Sequence, residues 1–125
     1  CFSSPGRVLL GIPPASHPDF PSVAQLKRFL SEARDANGRS FEIIEIAQPR
    51  CLREDWRGRP LAASYVNFYL ANGGLIMPAF DDSADSPAMA ILKDCFPERA
   101  IVQIDARDLV EGGGGIHCIT QQEPA

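Results

Sequence analysis

Apolar and polar positions along the first half of the chain predict a strand, a helix and two more strands. The apolar run at residues 7–12 (RVLLGI) is typical of a short buried strand, and Pro13 and Pro14 stop it. Residues 41–47 (FEIIEIA) and 64–70 (SYVNFYL) have the composition of further strands. Between the first two strands, a helix that starts near Pro21 and ends at Asn37-Gly38 is indicated by apolar residues at helical spacing: Val23, Leu26, Leu30 and Ala33.

The second half repeats this order of elements. Residues 75–80 and 100–105 predict two strands, and residues 115–121 predict a third. Ser86 and Pro87 suit the start of a helix. Its apolar face would consist of Ala88, Ile91, Leu92 and Cys95. Asn72-Gly73 is a two-residue hairpin signal, which we expect to join the halves.

Both halves, residues 6–70 and 74–122, therefore read strand, helix, strand, strand, which is an α/β pattern. Two copies of one unit favour a piece of a larger repeat architecture, in which each unit covers its open face with a neighbour. The alternative is a small self-contained α+β domain whose halves resemble each other by chance. Residues 48–61 are rich in charge, proline and glycine, and predict a surface loop. In either case we expect residues 1–125 to form a single domain.

Composition narrows the classes of function. The 125 residues, 45% of them hydrophobic, suffice for one modest core. A net charge of -4 and scattered basic residues argue against a nucleic-acid partner. No apolar stretch approaches the roughly 20 residues that span a bilayer, and no basic segment precedes an apolar one at the start. We expect neither a membrane partner nor a bound cofactor.

The four cysteines, Cys1, Cys51, Cys95 and Cys118, are widely spaced and form no CxxC pair, so a zinc site is not expected. We expect reduced thiols in a cytoplasmic protein. The chain starts with Cys rather than Met, and an apolar segment follows within a few residues. This beginning suggests entry in mid-domain, as in one part of a longer protein.

The densest chemical signal is the run of four glycines that ends three residues before Cys118. Consecutive glycines cost conformational entropy, and they are useful where the backbone adopts unusual dihedrals or approaches a ligand closely. No Gly-Lys-Ser/Thr follows, so a phosphate loop is excluded. The glycines precede a predicted strand rather than a helix, which excludes a dinucleotide fingerprint. Cys118 is then either a nucleophile at the mouth of a cleft or a small buried hydrophobe.

A base for Cys118 is not evident among the remaining residues. If residues 115–121 form a strand, His117 and Cys118 point to opposite faces, so His117 is better explained by capping or packing. Asp81, Asp82 and Asp85 form an acidic cluster that either binds a cation or begins the next helix. Asn67 alternates with apolar neighbours, so it either lines a cleft or is solvated.

Two longer stretches resemble agmatine deiminases. Residues 61–74 (LAASYVNFYLANGG) are similar to a characteristic segment of that family, and residues 113–124 (GGGIHCITQQEP) are similar to its nucleophile motif. The resemblance covers essentially the whole chain, including Asp105-Ala-Arg-Asp108. It implies a partial α/β propeller (the pentein fold) of about two modules, in shifted phase relative to the family's strand-strand-helix-strand units.

The resemblance also implies a reaction. Cys118 would attack the guanidinium carbon of agmatine, ammonia would leave, and water would release N-carbamoylputrescine from a covalent amidino-cysteine. Gly114 and Gly115 would let the backbone approach the planar substrate, and Asn67 is a further candidate for substrate binding. The family's histidine acid/base would fall just before Cys1, with the other carboxylates earlier still. We therefore expect the isolated chain to be inactive.

Two alternatives remain open from the sequence. A bacterial-type peptidyl-arginine deiminase shares the fold and the nucleophile, and differs in the size of its substrate. A non-catalytic module is the other alternative, surviving as a truncated gene product that forms a homo-oligomer through uncovered sheet edges.

Overall fold

The computed structural model describes residues 1–50, 54, 57–58 and 61–123, so the loop predicted at residues 48–61 lies partly outside the described residues. The first unit consists of β1 (Phe2–Ser4), β2 (Arg7–Ile12), α1 (Phe20–Glu32) and β3 (Glu42–Ala47). The second unit consists of β4 (Tyr69–Ala71), β5 (Gly74–Ala79), α2 (Asp85–Cys95) and β6 (Ala100–Asp105). A short helix α3 (Arg107–Glu111) and a 3-10 helix (His117–Ile119) follow.

The two units have the same topology. In the first sheet β1 is antiparallel to β2, and β2 is parallel to β3. In the second sheet β4 is antiparallel to β5, and β5 is parallel to β6. Each helix connects the two parallel strands of its sheet, as parallel pairing requires. The α/β fold class and the repeat are thus confirmed, with each unit running strand, strand, helix, strand.

The phase of the repeat differs from the prediction. Asn72-Gly73 does form a hairpin turn, because Ala71 pairs with Gly74. That hairpin joins β4 to β5 within the second sheet, so it does not join the two halves. The strand predicted at the end of the first half consequently belongs to the second unit.

Two predicted strands are largely wrong. Within residues 64–70 only the last two are strand; Tyr65 and Val66 form a turn that is closed by a hydrogen bond from Asn67 N to Ser64 O of 3.1 Å. Residues 115–121 form turns around the 3-10 helix. Aromatic and β-branched residues made both stretches resemble strands. The backbone hydrogen bonds in their turns, however, join residues that are close in sequence and do not join neighbouring strands.

The helices lie close to their predicted positions. α2 begins at Asp85 rather than at Ser86, and its buried side chains are Ala88, Leu92 and Cys95, as expected from the apolar face. α1 ends at Glu32, and Asn37-Gly38 forms a separate turn in which Gly38 N donates to Asp35 O at 2.9 Å. None of the helices among the described residues is long and apolar enough to cross a membrane.

The buried core lies mainly in the second unit. Side chains of Tyr65, Phe68, Leu75, Met77 and Leu92 pack there, together with Leu9 and Ile46 of the first sheet. α1 has no buried residue, and its Phe29 is 66% exposed. On β6, Val102 is 55% exposed. Apolar surface on α1 and on one end strand of the second sheet is therefore uncovered in this chain.

Candidate active site

Cys118 lies in the 3-10 helix that follows the glycine run. Its backbone N–H donates to Gly115 O at 3.1 Å, which closes a tight turn, and its side chain is exposed. Cys95, by contrast, is buried on the inner face of α2. The buried-hydrophobe explanation thus describes Cys95, whereas Cys118 presents its sulfur at the surface.

Asn67 holds the segment that carries Cys118. Its side-chain Nδ2 donates to Cys118 Sγ at 3.5 Å, and its Oδ1 accepts the backbone N–H of His117 at 2.8 Å. One planar amide therefore contacts both the candidate nucleophile and the backbone just before it. The prediction that Asn67 lies on the polar face of a strand was wrong, because the residue follows a turn. Its side chain nevertheless contacts Cys118.

Close contacts within this site favour glycine at positions 114 and 115, most strongly at 115. A Cβ on Gly115 would lie 2.7 Å from Cγ of Asn67, and a Cβ on Gly114 would lie 3.0 Å from Cβ of Cys118. In proteins, Cβ atoms essentially never lie as close as 2.7 Å to a non-bonded heavy atom. The absence of side chains at these two positions is what allows Asn67 and Cys118 to meet.

The surroundings of Cys118 favour its thiolate. Hydrogen bonding from the Gly115 backbone, and next from the Asn67 side chain, lowers the pKa of the Cys118 thiol below its ordinary value, against a smaller opposing effect of desolvation. Burial has the opposite effect on Cys95 and raises the pKa of its thiol. Of these two thiols, Cys118 is the one whose surroundings favour the thiolate.

His117 does not follow the geometry predicted for it. The opposite-face reasoning assumed a strand, and His117 starts a 3-10 helix instead. Its backbone N–H binds Asn67, while its side chain helps to line a cavity of about 380 Å³ beside Asn67. Cys1, Ser64 and Gln122 line the same cavity, and the sequence pattern gave no signal for these three.

The acidic residues Asp81, Asp82 and Asp85 have structural partners. The carboxylate of Asp85 accepts the hydroxyl of Tyr65 at 2.6 Å, and the carboxylate of Asp81 lies 3.2 Å from Arg107. Among the described residues, no group of three or more His, Cys, Asp or Glu side chains is placed to hold a metal ion. Cys51 lies outside the described residues.

Comparisons with known proteins give this site a context. A sequence model of the Porphyromonas-type peptidyl-arginine deiminase family matches residues 1–124. An agmatine deiminase of Pseudomonas fluorescens is 40% identical over an alignment of 142 positions, gaps included. This alignment covers 100% of this chain and 39% of that protein. An agmatine deiminase of Pseudomonas aeruginosa is also 40% identical, again with 100% and 39% covered.

The fold is found in a solved relative as well. The structure of an agmatine deiminase of Enterococcus faecalis superimposes with a TM-score of 0.89 at 30% identity, covering 99% of this chain and 38% of that one. The chain therefore spans less than two fifths of the length of these relatives. With a family match over nearly its whole length, the chain belongs to the Porphyromonas-type peptidyl-arginine deiminase family.

Proposed function

We propose that this chain supplies the nucleophile of an agmatine deiminase site, with Cys118 as the reacting residue. The observation that carries the proposal is the contact of 3.5 Å between the Asn67 amide and the sulfur of an exposed cysteine whose thiol pKa is lowered. The agmatine deiminases that match the entire chain at 40% identity support agmatine as the substrate.

The reaction proceeds in two halves. The Cys118 thiolate adds to the guanidinium carbon of agmatine, the C–N bond to one terminal nitrogen breaks, and that nitrogen takes up a proton and leaves as ammonia. Water then adds to the amidino-cysteine carbon, the C–S bond breaks, and the thiolate is restored as N-carbamoylputrescine leaves. Of the two protons that water loses, one replaces the proton used in the first half and the other converts ammonia to ammonium. The covalent intermediate divides one difficult displacement into two easier ones.

Asn67, Gly114 and Gly115 prepare Cys118 for this chemistry. The amide of Asn67 donates to the sulfur, which stabilises the thiolate both before attack and after the product leaves. The two glycines leave room for that contact, and backbone without side chains lets a planar guanidinium approach. The adjoining cavity of about 380 Å³ is of a size suited to a small molecule.

Other parts of the site are proposed to lie in the regions of the relatives that this chain does not match. A guanidinium calls for carboxylates, which bind it in bidentate fashion, and the leaving nitrogen calls for an acid. The acidic side chains near the end of β5 are engaged with Tyr65 and Arg107. We therefore propose that the 125-residue chain is inactive by itself.

Ammonia release from agmatine tests the proposal. The chain is assayed alone and after mixing with the N-terminal portion of an agmatine deiminase, with Cys118→Ser as the control in both. We expect release only from the mixture, and only with Cys118 present. Release by the mixture that survives Cys118→Ser would refute the assignment of the nucleophile.

A peptidyl-arginine deiminase is the second candidate, because the matching family is described by that activity. A peptide-bound arginine presents the same guanidinium on a much larger body, so the contacts that distinguish the substrates lie away from Cys118. Comparing ammonia release from agmatine with release from an arginine-containing peptide, in the same mixture, distinguishes the two. Preference for agmatine supports the first candidate, and preference for the peptide supports the second.

A further inference from the structure

The turn that presents Asn67 is fixed to the second unit by a buried tyrosine. Tyr65 is fully buried in this turn, two residues before Asn67, and its ring packs edge-on against Phe80 with a centroid separation of 5.3 Å. Its hydroxyl donates to the Asp85 carboxylate at 2.6 Å. Tyr65 thus joins the turn to the end of β5 and to the first residue of α2.

Asp85 is itself held by the backbone. Its carboxylate accepts the N–H of Phe80 at 3.1 Å and the N–H of Asp82 at 3.3 Å, in addition to the tyrosine hydroxyl. These donors belong to the chain that leaves β5, so the carboxylate occupies a fixed position at the start of α2. Packing in the core fixes the position of the tyrosine ring, and the hydrogen bond to this carboxylate fixes its orientation as well.

The hydroxyl remains a donor throughout the working range of pH. Burial, and then the hydrogen bond to Asp85, raises the pKa of the Tyr65 hydroxyl well above its ordinary value. The phenol therefore stays protonated over the pH range in which a cysteine thiol ionises, and its hydrogen bond to Asp85 persists over that range.

These contacts form a continuous path to the nucleophile. Asp85 fixes Tyr65, Tyr65 fixes the turn closed between Ser64 O and Asn67 N, and Asn67 binds Cys118 Sγ and His117 N. Gly115 packs directly against the Asn67 amide, since a Cβ at residue 115 would approach that amide within 2.7 Å. A displacement of the turn would move the Asn67 amide relative to Cys118 Sγ and His117 N, and would weaken both contacts.

We infer that Tyr65 and Asp85 are positioning residues for the nucleophile, which set the place of the Asn67 amide beside Cys118. The inference rests on the proposed role of Cys118, and it extends that role to two residues that do not touch the sulfur. It gives the buried phenol a function beyond packing: its hydroxyl determines how well the thiolate is stabilised.

The test measures the pH dependence of Cys118 alkylation by iodoacetamide, with each cysteine-containing peptide quantified separately by mass spectrometry. Tyr65→Phe removes only the hydroxyl and keeps the ring in the core. Tyr69→Phe makes the same change at the other tyrosine of the chain, in β4. No substrate is present, so the result is independent of whether agmatine reacts.

We expect Tyr65→Phe to raise the alkylation midpoint of Cys118, and Tyr69→Phe to leave it unchanged. In an Asn67→Ala background, Tyr65→Phe should cause no further shift, because the amide through which it acts is gone. A Tyr65→Phe chain that loses stability but keeps the midpoint would show a structural role only and overturn the inference. An equal shift in the Asn67→Ala background would overturn it as well.

If Tyr65→Phe does not fold, Asp85→Ser provides the second variant. Serine is a smaller polar residue that lacks the carboxylate that accepts the tyrosine hydroxyl. The same rise of the Cys118 midpoint is expected, again absent when Asn67 is alanine. An unchanged midpoint in the folded Asp85→Ser chain contradicts the inference.

Discussion

The side-chain amide of Asn67 donates to Cys118 Sγ across 51 positions of sequence, at a distance of 3.5 Å. Asn67 belongs to the connection between the two sheets, and Cys118 lies beyond the last strand. The amide that donates to the candidate nucleophile thus comes from another part of the chain, and this contact depends on how the connection and the C-terminal turn pack together.

The thiols of Cys118 and Cys95 should differ in their response to pH. The thiol pKa of Cys118 is lowered by hydrogen bonding, and the thiol pKa of Cys95 is raised by burial. Alkylation of Cys118 should therefore begin at lower pH than that of an unstructured cysteine, and alkylation of Cys95 at higher pH. Peptide-resolved iodoacetamide labelling between pH 5 and 10 measures both, with the urea-unfolded chain as the reference. A Cys118 midpoint at or above the unfolded value would contradict the geometry of the site.

The same shift has a consequence for stability. Because the folded pKa of Cys118 is lower than the unfolded one, its thiolate favours the folded state above the unfolded pKa, and this contribution disappears as pH falls through the folded pKa. Cys118→Ser should remove that part of the pH dependence. Urea unfolding of both chains at pH 6 and pH 10 compares the two. A pH dependence that is identical in the two chains would exclude a thiolate stabilised by folding.

Replacing Asn67 by alanine should raise the alkylation midpoint of Cys118. The substitution removes the donor to sulfur and the acceptor of the His117 N–H. A higher thiol pKa lowers the thiolate fraction at neutral pH, so alkylation of Cys118 at pH 7 should slow as well. Asn37→Ala, at an exposed turn, is the matched control and should leave Cys118 unchanged. Equal reactivity of Cys118 in all three chains would show that Asn67 does not stabilise the thiolate.

Alanine at Gly115 should be more damaging than alanine at Gly74. A Cβ at position 115 would lie 2.7 Å from the Asn67 side chain, whereas one at position 74 would lie 3.6 Å from Ala100 O, an ordinary contact. We expect Gly115→Ala to lower the free energy of unfolding by about 1–3 kcal/mol, the range for overpacked sites, and to raise the Cys118 midpoint. Gly74→Ala should do neither. Urea denaturation and alkylation of the two variants provide the comparison. Equal effects of the two substitutions would show that the close approach to Asn67 is not the cause.

His117→Ala should cost less than Cys118→Ser in the reconstituted ammonia-release assay. The contact that His117 makes with Asn67 uses its backbone N–H, which alanine retains. Cys118→Ser removes the attacking sulfur itself. Loss of activity to the same level in both variants would contradict this expectation and would assign an acid/base role to the imidazole, since His117 lines the cavity beside Asn67.

The isolated chain should self-associate through its uncovered apolar surface. Val102 on β6 is 55% exposed and lies on an end strand of the second sheet. Analytical ultracentrifugation of the chain and of Val102→Lys measures the effect, and we expect the variant to shift toward monomer. Glu98→Lys, a charge change outside β6, is the control. A chain that is monomeric at all concentrations would contradict the expectation and the non-catalytic alternative built on it.

The sequence predicted the repeat well because the central strands of the two sheets are apolar runs. β2 spans the predicted residues 7–12, and β5 covers all but the last of the predicted residues 75–80. The apolar face of α2 was also evident, because helical spacing at Ala88, Leu92 and Cys95 reflects burial against one side. Apolar periodicity of this kind arises because one side of a strand or helix is buried, so it predicts the element and its buried side.

The site was predicted in part, for a physical reason. The glycine run marked Cys118, since such a run has few uses outside turns and close contacts. The two neighbouring stretches, residues 64–70 and 115–121, were assigned to strands because Tyr65, Val66, Ile116 and Ile119 favour extended backbone. Their turns depend on contacts that no local pattern encodes, such as the bond from Tyr65 to Asp85 and the bond from His117 N to Asn67.

The anchoring of Tyr65 also affects how this protein can change during evolution. Leu61, Ala63 and Tyr65 are buried in succession, so the chain is fastened to the core before it reaches Asn67. Substitutions between Leu61 and Asn67 are therefore constrained by packing in the core as well as by the contact with Cys118.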